Sequence, residues 1–89
     1  MEIEYHPKVI KIDIPKLDKS IKERVKFTIY NKLSTEPIVY GLPLRGTLHQ
    51  CWKLRVGDYR VVYTIIKDKI KIVIIAHRKN VYRETLKRI

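Results

Sequence analysis

Residues 50–76, QCWKLRVGDYRVVYTIIKDKIKIVIIA, hold three runs rich in β-branched and aromatic residues, parted by short polar breaks. The runs Gln50–Val56, Tyr59–Ile66 and Ile70–Ala76 predict three consecutive strands. Gly57–Asp58 fits a two-residue hairpin turn, with glycine where a positive φ is needed. Such a turn pairs Val56 with Tyr59, Arg55 with Arg60, Leu54 with Val61, Lys53 with Val62 and Trp52 with Tyr63. One face then carries Trp52, Leu54, Val56, Tyr59, Val61 and Tyr63, and reads as core. The other carries Lys53, Arg55 and Arg60.

That second face is set against stability. Arg55 directly opposite Arg60, with Lys53 beside them, places like charges across a strand pair at a cost of a few tenths of a kcal/mol. Carboxylates that could neutralise them are scarce after Glu36: only Asp58, Asp68 and Glu84. Guanidinium groups match phosphate oxygens in a two-pronged fork, so the pattern points to a polyanion on that face. The third run is apolar on both faces and delivers His77-Arg78-Lys79 at its end. A three-residue turn at 67–69 sets Ala76 opposite Arg60 and brings Arg78 to the Arg60 side, whereas a two-residue turn brings His77 there. His77 is a candidate proton-transfer group because its ordinary pKa lies near neutrality.

Upstream, Met1–Tyr5 alternates as a short edge strand and Pro7–Ile12 suits one or two helical turns, stopped at Ile14–Pro15. Ser20-Ile21-Lys22-Glu23 is a capping-box pattern, with Asp18 as the alternative cap. Ile21, Val25, Ile29 and Leu33 recur at helical spacing to a stop near Ser34. Tyr40–Gly46 is turn-rich. Asn80 can cap a last short helix whose apolar stripe is Tyr82, Leu86 and Ile89. The class is α+β: N-terminal helices packed on a twisted antiparallel sheet, with a short C-terminal helix, in a single domain over residues 1–89.

Composition narrows the partners. The 89 residues carry 20 Lys+Arg against 9 Asp+Glu, a formal net charge of +11. A chain this short buries only roughly 60–65% of its unfolded surface, so charge of this size is commonly put to use. The single cysteine excludes an intramolecular disulfide, and His6, His49 and His77 have no metal-ligand spacing. No apolar run suits a membrane span, and the early glutamate in MEIEYHPKVIKI argues against a signal peptide, so a cytoplasmic protein is expected. No Gly-rich phosphate loop or Ser/His/Asp arrangement is present.

PLRGTLHQCWKLRVGDYRVVYTI followed by IIAHRKNVYRE resembles the RelE/ParE superfamily of toxins from type II toxin–antitoxin pairs, and the likeness extends upstream through VIKIDIPKLDKSIKERV. The resemblance implies helices against a twisted sheet with a basic cleft on its other side. RelE-type members cut mRNA in the ribosomal A site; ParE-type members inhibit DNA gyrase and lack the cationic catalytic set. By position, Lys53 matches the first strand lysine of the RelE set, and Arg55 stands where RelE has a second lysine. Arg60 matches the arginine of the GYR element, Arg78 the arginine after the last strand, and Tyr82 the C-terminal tyrosine at a shorter spacing. The resemblance thus implies a metal-independent endoribonuclease with Lys53, Arg55, Arg60, Arg78 and Tyr82 in catalysis. Arg45, His77, Lys79 and Arg83 are expected to bind RNA, and no cofactor is expected. Its implied partners are mRNA, the ribosome and an acidic RelB-like antitoxin, with operator DNA bound only as the toxin–antitoxin complex. A gyrase inhibitor without nuclease activity is the alternative on the same scaffold, and a purely DNA-regulatory partner is a third.

Overall fold

The computed structural model describes residues 1–89. Its elements in chain order are β1 (Glu2–Tyr5), α1 (a π-turn over Val9–Asp13 running into an α-turn over Ile14–Lys16) and α2 (Lys19–Thr28, continued by a π-turn over Ile29–Leu33). Next come α3 (Pro37–Tyr40), β2 (Leu42–Pro43), a 3₁₀ turn at Gly46–Leu48, β3 (Cys51–Val56), β4 (Tyr59–Ile66), β5 (Lys69–His77) and α4 (Val81–Arg88). The strands form one sheet in the order β1-β5-β4-β3-β2. Pairing from β2 through β5 is antiparallel, as expected, whereas β1 joins β5 in parallel. The α+β class stands, with a mixed rather than wholly antiparallel sheet. The two-residue strand β2, in the stretch read only as turns, adds an edge beside Trp52 and Lys53.

The main core lies between the sheet and the N-terminal helices. Val25, Ile29 and Leu33 form the buried stripe of α2 and meet Leu54, Val56, Val61, Tyr63, Ile70, Ile72 and Ile75. Trp52 and Tyr59 pack against the same cluster, as their face requires. Tyr63 is fully buried and its hydroxyl donates to the Pro37 carbonyl at 2.7 Å. This approach demands glycine at 41, since a Cβ there would lie 1.7 Å from the Tyr63 oxygen.

Two helix boundaries differ from the sequence reading. The chain stays helical through Pro15: the Ile14 amide bonds the Val9 carbonyl across a π-turn, whose wider spacing accommodates the ring that would clash in an α-turn. Asp18, not Ser20, caps α2, accepting from the Ile21 amide at 2.9 Å. A carboxylate interacts more favourably than a hydroxyl with the positive end of the helix dipole.

The second sheet face is not left bare. Leu48, Cys51, Val62, Val73, Ile74 and Val81 make a smaller cluster there, so α4 packs on the opposite face from α2. The phase of α4 also departs from expectation. Val81 and Thr85 are buried, while Tyr82, Leu86 and Ile89 are 40%, 54% and 63% exposed. The Tyr82 stripe is therefore not core. Thr85 satisfies its buried hydroxyl by donating to the Val81 carbonyl at 2.6 Å. Further along α4, Arg88 meets Asp13 of α1 in a two-pronged pair at 2.6 and 3.1 Å. The same Arg88 donates to the Val73 carbonyl, and Asp13 accepts from the Ile75 amide. Beyond Ile72, where β1 ends, this pair occupies the backbone groups on the free edge of β5.

Candidate active site

The cation cluster grows from the hairpin. Gly57 adopts φ +61°, and the register is Val56 to Tyr59, Arg55 to Arg60, Leu54 to Val61, Lys53 to Val62 and Trp52 to Tyr63, residue for residue as the two-residue turn requires. Arg55 and Arg60 thus stand opposite one another on the face away from the main core. No ion pair involves Lys53, Arg55 or Arg60. Their charges are available to an external anion.

Each member is held differently. The Lys53 ammonium donates to the Tyr82 hydroxyl at 2.9 Å and lies 5.5 Å from the centre of that ring. This contact joins β3 to the first turn of α4. The phenol accepts from lysine there, so its own proton is free to be donated elsewhere. The Nη1 of Arg60 donates to the carbonyls of Gly57 and Tyr59, both at 2.9 Å, which fixes the guanidinium plane and leaves Nε and Nη2 uncommitted. Arg55 is exposed.

Arg78 arrives by a route neither turn alternative contained. The β4–β5 turn is the two-residue one, with Ile66 opposite Lys69. A bulge then makes Val62 pair with Ile74 and Tyr63 with Ile72, leaving Val73 extra. The offset restores Ala76 opposite Arg60, the outcome expected of the longer turn. Arg78 follows, its amide donating to the Asp58 carbonyl at 2.8 Å and its Nε 3.8 Å from the Asp58 carboxylate. Both side chains are exposed, so this pair orients Arg78 more than it stabilises the fold.

The remaining expected contacts separate. His77 pairs with Tyr59, their rings edge-on at 5.5 Å, so it lies on the main-core phase of β5 and not beside Arg60. Arg45 is exposed on the loop that buries Leu48 in the second cluster. Lys79 is exposed in the turn before α4, and Arg83 donates to the Asn80 side chain at 3.0 Å. Two groups at the hairpin escaped the sequence reading as parts of a site. Asp58 was legible as a turn residue and a nearby carboxylate but not as a partner of Arg78, and nothing in the pattern tied Arg24 to the hairpin. The Arg24 guanidinium reaches the hairpin, lying 3.0 Å from where a Cβ on Gly57 would stand, a contact that only the packing of α2 reveals.

Other titratable groups are structural. Burial pushes the Cys51 thiol up, away from thiolate chemistry, and pushes the Tyr63 hydroxyl up to about 12. No three His, Cys, Asp or Glu side chains converge as a metal site would require. No helix is long and apolar enough to cross a membrane. What the cluster can do is bind a phosphate through fixed guanidinium and ammonium donors, and place a phenolic proton beside it.

Known proteins share this arrangement of elements. The family model described as the ParE toxin of type II toxin–antitoxin systems matches residues 3–82. Toxin RelG of Mycobacterium tuberculosis is 36% identical over 73 residues, covering 80% of this chain and 84% of its own. The mRNA interferase toxin RelE of Escherichia coli K12 is 34% identical over 80 residues, covering 83% and 82%. Among solved structures, the toxin–antitoxin complex RelBE2 from Mycobacterium tuberculosis superposes with a TM-score of 0.80 at 29% identity, over 86% of this chain and 96% of that one.

Proposed function

This chain belongs to the ParE toxin family of type II toxin–antitoxin systems, and from that premise we propose that it is a ribosome-dependent mRNA endoribonuclease acting in the cytoplasm. The observation that carries the reading is the contact between Lys53 and Tyr82 inside a group of un-neutralised arginines. A protein that merely bound DNA or a protein partner would need the charge but not a phenol aligned by an ammonium. The interferase name of the Escherichia coli relative supports the same branch.

The reaction is attack of a ribose 2′-oxygen on the adjacent phosphorus. The P–O5′ bond breaks, the 2′-proton passes to a base, and the protonated base returns it to the 5′-oxygen, which leaves as a hydroxyl with a 2′,3′-cyclic phosphate on the other fragment. Neither metal nor water enters this step. Arg60, its plane locked by the hairpin carbonyls, presents Nε and Nη2 to the non-bridging oxygens, and Lys53 supplies a second donor. Donors fixed in advance around the growing charge are often the largest catalytic contribution, about 10²–10³-fold for one such group. Arg78, steadied by Asp58, stabilises the leaving oxygen. Tyr82 orients the 2′-hydroxyl through its free proton. Arg55 stays protonated and contributes charge only. Lys53 or Tyr82 takes the 2′-proton only after giving up its own, and His77 lies on the other phase of β5.

An acidic RelB-like antitoxin would cover this face, and the matched RelBE2 structure is itself a toxin–antitoxin complex. The family description favours one second reading, a ParE-type inhibitor of DNA gyrase. Purified protein added to translating ribosomes with a defined message separates the two. New 5′ ends in the message with gyrase supercoiling unaffected are expected. Intact message with blocked supercoiling would assign the chain to the second branch.

A further inference from the structure

A cleft of about 540 Å³ opens between α1 and α4 along the free edge of β5, outside the cation cluster. Its floor is apolar, from Ile12, Leu17 and Ile74 to Ala76, and the Tyr59 and His77 rings add aromatic surface. Its rim is cationic on both walls: Lys8 and Lys16 at the two ends of α1, Arg83 and Lys87 from α4. Lys8 and Lys16 have no carboxylate partner, and Arg83 and Lys87 share the single carboxylate of Glu84. Asp13, the other acid in the cleft, is engaged by Arg88.

Two occupants suit a basic cleft beside a strand edge: an added acidic peptide strand, or a nucleic-acid backbone. Strand addition needs the backbone groups of the edge, and here the Ile75 amide is held by Asp13 and the Val73 carbonyl by Arg88. A phosphodiester chain needs only donors and charge. The cleft also meets the cation cluster at the turn after β5, since His77 and Asn80 line it while Arg78 between them turns toward Asp58.

We propose that this cleft is a second RNA site, which takes the backbone of the single-stranded message flanking the cleaved nucleotide. Lys8, Lys16 and Lys87 contact phosphates, and His77 with Tyr59 receives a base. The assignment rests on the RNA reading above but can fail independently of it.

The test uses the full chain and a short 2′-O-methyl RNA, which lacks the nucleophile and cannot be cut. Its affinity is measured across a salt series for the wild type, for Lys8→Gln/Lys16→Gln/Lys87→Gln, and for a charge-matched control, Lys19→Gln/Lys26→Gln/Lys32→Gln on α2. Each lost phosphate contact lowers the log–log salt slope by about 0.7, so the cleft variant should lose about 2 in slope and at least about tenfold in affinity. The control should lose little. Equal losses in both variants, or a wild-type slope in the cleft variant, overturn the proposal. So does binding of a glutamate-rich peptide that the cleft variant loses while RNA binding is unchanged. On ribosomes, a 4-thiouridine beside the cleavage position should cross-link to His77 or Tyr59; capture of ribosomal RNA alone by these residues would also overturn it. Loss of slope with no message cleavage would leave the cleft standing and remove the nuclease reading.

Discussion

Two groups of charged side chains, one at the free edge of β5 and one on the β3–β4 hairpin, are handled in opposite ways. Asp13 and Arg88 are nearly buried, matched one to one, and used on all sides by backbone partners. Lys53, Arg55 and Arg60 lie together with no carboxylate among them. The first group closes a sheet edge and ties the two ends of the chain together. The second leaves its charge unanswered, which is sensible only where an anion arrives from outside. Neutralisation, rather than the amount of charge, distinguishes scaffold from site.

The strongest way to break this contrast is Arg60→Ala with Arg78→Ala. Message cleavage on ribosomes should fall about 10³-fold or more, with thermal stability nearly unchanged; cleavage near the wild-type rate would dissolve the site. Asp13→Ala should do the reverse. It leaves Arg88 unpaired and the Ile75 amide without its acceptor, so stability should drop by about 3 kcal/mol in urea unfolding while residual folded protein keeps its cleavage rate. Tyr82→Phe removes one proton donor and should slow single-turnover cleavage about tenfold with message affinity kept. A smaller effect separates the main core from both charge groups. The Tyr63 hydroxyl is raised from 10.0 to about 12, so the stability it provides is complete below pH 10 and is lost as pH rises toward 12. Tyr63→Phe should flatten that part of the alkaline unfolding profile, and an unchanged profile would remove Tyr63 as its cause. Least of all, Arg55→Thr should gain a few tenths of a kcal/mol in stability by relieving the cross-strand repulsion, while weakening RNA binding.

The legibility of these features varied for physical reasons. The hairpin was readable to the residue because Gly57–Asp58 admits one register and each side chain then has a determined face. Lys53, Arg55 and Arg60 came together on that ground alone. The choice between His77 and Arg78 was not readable from the strand, because the bulge at Val73 lies in a run apolar on both faces, where a slip of one residue leaves no mark in the pattern. The phase of α4 was misread for a related reason. Apolarity favoured Tyr82, Leu86 and Ile89, yet the buried side holds Val81, Thr85 and Arg88, whose polar groups are satisfied by Val81 and by Asp13, far away in sequence. Asp13 carries no local signal of its burial, which depends on Arg88 and the Ile75 amide. Local pattern sees what a residue prefers; it does not see the partner that makes another choice cheap.

The spare residue in β5 bears on how such a protein changes. Paired straight on from the Lys67–Asp68 turn, the same strand would present His77 to the Arg60 side and withdraw Arg78; with Val73 looped out, the order is reversed. Since the strand is greasy on both sides around this point, either setting keeps apolar side chains on both faces. The offset therefore works as a gear that selects which basic group the strand hands to the reaction. A lineage could exchange an arginine for an imidazole there by slipping one tooth in the middle of a strand, with no substitution at the site at all.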